Sequence, residues 1–589
     1  MEIVEKYRSG ELPVPRNQWA WFLYGSGMES FGREGKTEQR PVPRYGPNEL
    51  LARVDACGIC FSDIKIIKAG SDHPRLRGRD LANDPIIIGH EVSVTIVGVG
   101  DELKDHYSVG DRFVVQAEIY YKGVNLAFGY MLPGGFEQYV TLGDEVLRGD
   151  DGCYLIPINN PEIGYAEAAL AEPWACVVCS YRWMHRRALQ PDGVLWIIGT
   201  PAAQDQEYTL GPVVQGASPS RVILTDVPAS LRDEVAMLVS RSGASVSVLN
   251  GLDGLDMRRV AQRQAGEKGV DDIIVLGGDR PKAIEACAGV LAHQGMLTFV
   301  TDKPLGETIS VDVGRVHYDQ IRLLGCPGPD ISRAYSESRE PRLEPRGKLW
   351  VAGAGGPMGQ MHVQWALEQE EPPELLVASD IDRDRLAMVA SRFAAAAQSK
   401  NTRLICLNPQ ELGPAGFEAE QRKLAPQGFD DICCLVPVPA IIADCSRYLG
   451  PSGLLNIFAG VGRGTMADLD VSAIATRMAR LQGTSGSSIE DLEMTLRLTE
   501  SGRLNTNMSV AAICGLDGAR DGLQAVLDQT FPGKTVIYPQ IEELPLVGVH
   551  ELPVSLPQVA EELADGGIWS REAEVELLRK FLPSSYPEA

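Results

Sequence analysis

The sequence predicts an α/β protein that consists of one β-rich domain and two tandem domains with parallel sheets. Short β-rich runs separated by Gly, Pro and Asp fill about residues 40 to 150, a pattern typical of antiparallel strands. In the middle of the chain, β-like runs alternate with helical ones, which predicts βαβ units and a parallel sheet. Because 589 residues exceed what one hydrophobic core supports, several domains are expected.

The middle of the chain is a duplication. Four segments recur in the same order: Val194–Gly199 as Lys348–Gly353, Thr225–Val227 as Ser379–Ile381, Gly269–Ile273 as Gly428–Ile432, and Gly295–Leu297 as Gly453–Leu455. The offset between the copies hardly changes along the chain, which indicates that a whole domain was copied.

These patterns place the domain boundaries. The expected parts are a β-rich domain at 1–188, the first α/β copy at 189–330, a linker at 331–346, the second copy at 347–488, a return to the β-rich domain at 489–538 and a helical tail at 539–589.

The two copies differ in their glycine-rich turns. The second copy has the run Gly353-Ala354-Gly355-Gly356-Pro357-Met358-Gly359 between a strand and a helix, and Asp380 ends its next strand. This arrangement is typical of a dinucleotide site, in which glycines let the pyrophosphate approach backbone N–H groups and the acid binds the ribose. Counted from Gly353, the run is one residue longer than G-x-G-x-x-G.

An acid at position 380 favours NAD over NADP, because it repels a 2′-phosphate. Arg383 and Arg385 follow closely and would soften this preference, or they are solvated charges at a helix start. The first copy keeps Asp226 but lacks the later glycines after Gly199. We therefore expect the first copy to be degenerate and structural.

Charge and composition exclude several classes of function. The net charge of −24 repels phosphate backbones and anionic membranes, so nucleic acid is not an expected partner. No apolar stretch reaches the roughly 18 residues of a membrane span, and the first residues are charged, so a cytoplasmic protein is expected. The 12 scattered cysteines indicate reduced thiols rather than a disulfide framework.

The β-rich domain has the residues of a catalytic metal site. Cys57-Gly-Ile-Cys60-Phe-Ser62-Asp63 is followed about thirty residues later by Gly89-His90-Glu91. A thiolate, an imidazole and carboxylates are the ligands of a zinc ion with an open position. Alternatively, Cys57 and Cys60 form a redox pair, or a structural zinc site with Cys176 and Cys179.

Further motifs occur in a familiar order: Val109-Gly110-Asp111-Arg112, Gly134-Gly135-Phe136 with Tyr139-Val140, and Glu172-Pro173. With the metal motifs, they resemble the zinc-dependent alcohol and polyol dehydrogenases of the medium-chain dehydrogenase/reductase superfamily, close to sorbitol or sugar-phosphate dehydrogenases. The resemblance implies a GroES-like β-rich catalytic domain and two tandem Rossmann-like domains.

The resemblance also implies site roles. Cys60 and His90 would bind zinc, either Glu91 or Glu172 would supply the carboxylate, Ser62 would relay a proton and Asp63 would orient a ligand. Many relatives have a histidine where this chain has Lys65. The segment at 117–130 has no cysteine, so one catalytic zinc per chain and no structural zinc are expected.

The expected function is a zinc-dependent, NAD-linked interconversion of a secondary alcohol and its ketone. The substrate would be a polyol, sugar, cyclitol or sugar phosphate. Two alternatives stay open: a lyase or epimerase that retains NAD and oxidises its sugar transiently, and a nucleotide-binding protein without catalysis. The protein would be a monomer or a homodimer, and its two copies could pair their sheet edges within one chain.

A basic run lies between the two metal motifs. Arg75, Arg77 and Arg79 could recognise a sugar phosphate or a carboxylate. Alternatively, the run is a solvated loop whose arginines pair with Asp72, Asp80 and Asp84.

Overall fold

A computed structural model describes residues 2–182, 186–252, 255–336, 339–484 and 486–582. The chain divides into two compact units, one of Met1–Val178 with Gly486–Ala589 and one of Cys179–Ser485. None of the described helices is both long and apolar enough to span a membrane.

The strands alternate with helices along most of the chain. Those of the first segment are β1 Asn17–Ala20, β2 Glu38–Pro41, β3 Leu50–Gly58, β4 Glu91–Val99, β5 Arg112–Val115, β6 Tyr120–Tyr121, β7 Val124–Asn125, β8 Tyr139–Leu142 and β9 Leu155–Pro157. Those of the second unit are β10 Val194–Gly199, β11 Arg221–Thr225, β12 Ser245–Leu249, β13 Val270–Leu276, β14 Leu291–Val300, β15 Ile309–Asp312, β16 Arg322–Cys326, β17 Lys348–Ala352, β18 Leu375–Ser379, β19 Arg403–Leu407, β20 Phe429–Cys434, β21 Leu449–Ile457, β22 Met466–Leu469 and β23 Arg480–Gly483. The last segment adds β24 Val510–Gly515, β25 Lys534–Tyr538 and β26 Val547–Gly548.

The α-helices have the following bounds. Up to Arg182 they are Glu2–Arg8, Phe61–Ala69, Asp144–Leu147, Tyr165–Ala169 and Ala171–Arg182. Between Gly211 and Arg477 they are Gly211–Gln215, Arg232–Ser242, Met257–Ala265, Pro281–Gly289, Val313–Tyr318, Arg333–Ser336, Pro357–Glu368, Arg383–Ser399, Pro409–Leu424, Pro439–Ser446 and Ser472–Arg477. The last segment has Ile489–Glu500, Ala519–Leu527, Leu552–Ser555, Pro557–Glu561 and Arg571–Phe581.

The first unit is built on an eight-stranded sheet with the order β26-β24-β25-β3-β4-β5-β9, to which β8 adds by pairing with β3. Strand β3 lies at its centre, and all nine of its residues are buried. In the antiparallel register, Gly58 at the end of β3 lies opposite Glu91 at the start of β4 and opposite Val536 of β25. The end of β3 therefore lies beside the starts of β4 and β25, at the same end of these three neighbouring strands.

The second unit contains one twelve-stranded sheet, whose strand order is β12-β11-β10-β13-β14-β16-β23-β21-β20-β17-β18-β19. Each duplicated copy contributes six strands, and each half has the doubly wound order 3-2-1-4-5-6. The sixth strands join the halves by an antiparallel pair, with Leu323 opposite Leu481. A second antiparallel ribbon, β15 with β22, also links the copies. The predicted α/β class with tandem parallel-sheet copies is confirmed.

Candidate functional site

The candidate metal site begins where β3 ends. Cys60 is the N-cap residue of the helix Phe61–Ala69, and its backbone N–H donates to Asp63 Oδ2 at 2.8 Å. This capping contact satisfies a helix-terminal N–H and fixes the first turn. The Cys60 side chain and the Asp63 carboxylate are thus held near the start of β4, where Glu91 lies.

The structure brings together three metal-binding side chains in this unit. Donor atoms of Cys60, His90 and Glu91 all lie within 4.8 Å of one another. His90 and Glu91 are buried, and Cys60 is partly exposed. Glu91 Oε2 is buried without a hydrogen-bond partner in the described structure. Buried polar atoms without partners are costly, so they mark a place where a further group is expected.

His90 is oriented by Asp63. Its Nδ1 lies 3.3 Å from Asp63 Oδ1, on the carboxylate that also caps the helix. Burial lowers the pKa of His90, but the charges of Asp63 and Cys60 outweigh burial and raise this pKa well above its usual value. A carboxylate beside one imidazole nitrogen fixes the ring and leaves the other nitrogen for a metal. Asp63 therefore lies where an orienting residue is expected.

Glu91 has a partner that the sequence motifs do not reveal. Its Oε1 accepts a hydrogen bond of 2.5 Å from the Nζ of Lys534, and both side chains are buried. The Glu91 carboxylate raises the pKa of Lys534 despite burial. A Cβ at Gly58 would collide with Glu91 Oε2, so this glycine makes room for the second oxygen. Lys534 starts a strand whose five residues are all buried, and a buried lysine there indicates an acidic partner.

The remaining predicted residues surround this centre. Ser62 Oγ lies 3.5 Å from Cys60 Sγ. Burial raises the pKa of Glu172 to about 7, with His90 lowering it and Glu91 raising it, so the second glutamate belongs to the same electrostatic environment. Cys57 is fully buried, and burial raises its pKa well above its usual value. Cys57 does not belong to the group of side chains whose donor atoms converge.

In the second unit, the glycine-rich run of the second copy lies beside Asp380. The N–H of Gly355 donates to Asp380 Oδ2 at 2.9 Å. Arg385 is the other neighbour, because a Cβ at Gly355 would lie 2.8 Å from both the Arg385 Cβ and Asp380 Oδ2. A Cβ at Gly359 would collide with the carbonyl oxygen of Gly353, so Gly359 permits close packing of helix on strand.

Two more residues of the run begin the helix Pro357–Glu368. Gly356 is its N-cap, and a Cβ there would lie 4.0 Å from the carbonyl oxygen of Gly353. Met358 lies half-buried in the first turn. The first turn of a helix leaves backbone N–H groups without intrahelical partners, which suits an anion, although Pro357 has no N–H to contribute.

In the first copy, the acid equivalent to Asp380 is Asp226, and it has different partners. Both carboxylate oxygens of Asp226 accept backbone N–H groups from Gly251 and Leu252 at 2.9–3.1 Å. The carboxylate thus stabilises the turn after β12, and a proline, Pro201, occupies the turn after β10.

The fold and the site can now be compared with known proteins. Residues 46–148 match the alcohol dehydrogenase GroES-like domain. The protein YggP of Escherichia coli is 28% identical over 54% of this chain and 76% of its own length. Mannitol-1-phosphate 5-dehydrogenase of Aliivibrio fischeri is 26% identical over 49% of this chain and 70% of its own. L-sorbose 1-phosphate reductase of Klebsiella pneumoniae is 23% identical, over 94% of this chain and 96% of its own.

The matched domain and the named polyol and sugar-phosphate relatives support an alcohol–ketone oxidoreductase that acts on a small molecule. They support an alcohol or polyol dehydrogenase of the medium-chain dehydrogenase/reductase superfamily. The family resemblance and the enzyme class that the sequence motifs implied are confirmed.

The Glu91–Lys534 pair yields a stability prediction. In Lys534→Met, the buried Glu91 carboxylate loses its counter-charge, so we expect the protein to lose about 3–5 kcal/mol of stability. The double variant Lys534→Met/Glu91→Gln removes the charge as well and should recover a large part of that loss. Urea denaturation in the presence of a chelator measures the free energy of unfolding of each variant.

The matched control is Lys104→Met, which removes an exposed lysine paired with Asp101. It should leave the denaturation midpoint unchanged, because exposed pairs contribute little. Equal midpoints for Lys534→Met and Lys104→Met would contradict the importance of the buried pair.

Proposed function

We propose that the protein is a zinc-dependent, NAD-linked dehydrogenase that interconverts a secondary alcohol of a polyol, sugar, cyclitol or sugar phosphate with its ketone. The convergence of Cys60, His90 and Glu91 donor atoms carries the proposal. One sulfur, one nitrogen and one oxygen ligand form a three-residue set that leaves a position open for substrate. The names of the mannitol 1-phosphate and sorbose 1-phosphate relatives support a polyol or its phosphate as substrate.

Of the two glutamates, we infer that Glu91 binds the metal directly. Lys534 donates to its Oε1, while Oε2 is buried without a partner. Glu172 is harder to ionise, because burial raises its pKa to about 7. It would contact the site through water. In this arrangement Asp63 fixes His90, and Lys534 fixes Glu91.

The chain's residues would then position the substrate and move its proton. A zinc ion held by Cys60, His90 and Glu91 would supply the Lewis acidity that lowers the pKa of an alcohol, and a nicotinamide nucleotide would supply a hydride acceptor. Ser62 lies beside the Cys60 sulfur and is partly exposed. Its Oγ would accept the alcohol proton while its own hydrogen passes to solvent. With Lys65 at the position where relatives have a histidine, the proton would leave through solvent at Ser62.

The second copy would bind the nucleotide. Gly353, Gly355, Gly356, Met358 and Gly359 form the turn and first helical residues that would face the pyrophosphate. Asp380 would accept hydrogen bonds from the ribose hydroxyls, with Arg385 beside it. This arrangement supports NAD over NADP.

The relay role of Ser62 is tested by Ser62→Ala. Because a positioned proton acceptor typically contributes 10²–10⁴-fold, we expect kcat to fall by about 10²-fold or more while the zinc content stays that of the wild type. His90→Ala should instead lose both zinc and activity. Steady-state oxidation of polyols and elemental analysis provide the two readouts.

Ser108→Ala changes an exposed serine of the same unit and serves as the control. If Ser62→Ala turned over as fast as Ser108→Ala, Ser62 would have no part in proton transfer.

The nucleotide preference is tested by Asp380→Ser. Loss of the carboxylate removes both the ribose contact and the repulsion of a 2′-phosphate. The ratio of kcat/KM for NAD to that for NADP should fall by about 10-fold or more, the worth of a charged hydrogen bond. Asp384→Ser, an exposed acid near the start of the next helix, should keep the wild-type ratio. An unchanged ratio in Asp380→Ser would show that the acid does not select the nucleotide.

A further inference from the structure

Basic side chains lie around a tyrosine that contacts the candidate metal site. The ring of Tyr130 lies 5.8 Å from that of His90, centroid to centroid. On the same ring pack His73, at 5.6 Å, and the Arg75 guanidinium, at 4.9 Å. Only one aromatic ring therefore separates these two basic residues from a proposed metal ligand.

Lys65 is the third member of this group. It lies on the helix Phe61–Ala69, one turn after Phe61, and its Nζ is 6.0 Å from that partly exposed ring. Within the described parts of the chain, the Lys65 ammonium group has no carboxylate partner. Burial lowers the pKa of His73, and the positive charges of Arg75 and Lys65 lower it further.

The local backbone determines which His73 nitrogen is the donor. Nδ1 accepts the backbone N–H of Arg75 at 3.3 Å, which caps the short 3-10 helix Pro74–Leu76. In a neutral imidazole the other nitrogen then has the hydrogen. His73 therefore presents an N–H donor at Nε2.

Arg75 is held in place by an ion pair that involves only part of its guanidinium group. One terminal nitrogen, Nη2, pairs with Glu118, whose other oxygen accepts from Asn125. Guanidinium has five N–H donors in a rigid fork, so Nε and Nη1 stay available to a ligand. Arg75 packs on the Tyr130 ring, which also lies against His90, so the Arg75–Glu118 pair lies near the proposed metal site.

The other two arginines of the basic run differ from Arg75. Arg79 pairs with Asp84 and donates to backbone carbonyls, including that of Met131, so the solvated-loop interpretation holds for it. Arg77 is exposed at the end of the 3-10 helix. The basic run therefore offers one arginine to the site, and the helix after Cys60 adds a lysine.

We propose that Lys65, His73 and Arg75 bind the phosphate group of a phosphorylated polyol whose reacting carbinol lies at the metal. The proposal rests on the proposed function for the position of that carbinol. Two cations and a fixed neutral N–H donor match a phosphate, which accepts several charge-assisted hydrogen bonds. In a chain of net charge −24, such a basic group also attracts an anionic substrate that the rest of the surface repels.

The test compares L-sorbose 1-phosphate with L-sorbose in the zinc-loaded enzyme. The readouts are the ratio of their kcat/KM values and the Kd of L-sorbose 1-phosphate from calorimetry. Lys65→Gln and Arg75→Gln should each lower the ratio and raise the Kd by about 10-fold or more, the worth of a charged hydrogen bond. Arg77→Gln removes an equal charge from the same run and should change both by less than about 2-fold, as expected for an exposed charge.

A Lys65→Gln enzyme with the wild-type ratio and Kd would overturn the proposal, and so would an Arg77→Gln enzyme as impaired as Lys65→Gln. Equal competition by the carboxylate of L-gulonate would show that the group does not select phosphate and would also count against it. Should the wild type oxidise or reduce neither sugar, the proposed function would fail while the Kd series would still decide this site. No binding of L-sorbose 1-phosphate to the wild type would overturn it outright.

Discussion

The ion pair between Glu91 and Lys534 is the contact on which the candidate metal site depends. It joins the start of β4 to the start of β25, two strands that lie on either side of β3. A buried lysine and a buried glutamate are tolerated only together, so each strand requires the other. Since Lys534 follows the whole duplicated region, the site is complete only when the chain has returned to the first sheet. The pair also leaves one oxygen of Glu91 free, as a metal ligand requires.

The duplicated region pairs two sheet edges that would otherwise be open. A six-stranded parallel half leaves its sixth strand with unpaired backbone groups. Here β16 and β23 cover one another within one chain, and the β15–β22 ribbon adds a second junction. Only the second copy has kept the glycine-rich turn, while Asp226 of the first now supports its own backbone. We interpret the first copy as the structural partner of the second.

Short-range motifs made much of this predictable. Cys60, His90 and Glu91 belong to local motifs, and the duplication shows directly in the sequence, so the α/β class and the metal-binding group could be proposed without a structure. Lys534 could not, because its partner lies 443 residues away and strand register is set by the folded sheet. The different environments of Arg75 and Arg79 could not be foreseen either. Both are arginines of one basic run, and only tertiary packing places Tyr130 beneath one of them.

The central claim is that one zinc ion is held by Cys60, His90 and a glutamate. Zinc X-ray absorption spectroscopy of the purified protein, with elemental analysis, measures this coordination directly. We predict one zinc per chain with one sulfur ligand at about 2.3 Å and nitrogen or oxygen ligands at about 2.0–2.2 Å. A zinc surrounded by four sulfurs, as Cys57 and Cys60 would supply together with Cys176 and Cys179, would contradict it. A protein that binds no zinc when one equivalent per chain is supplied would also contradict it.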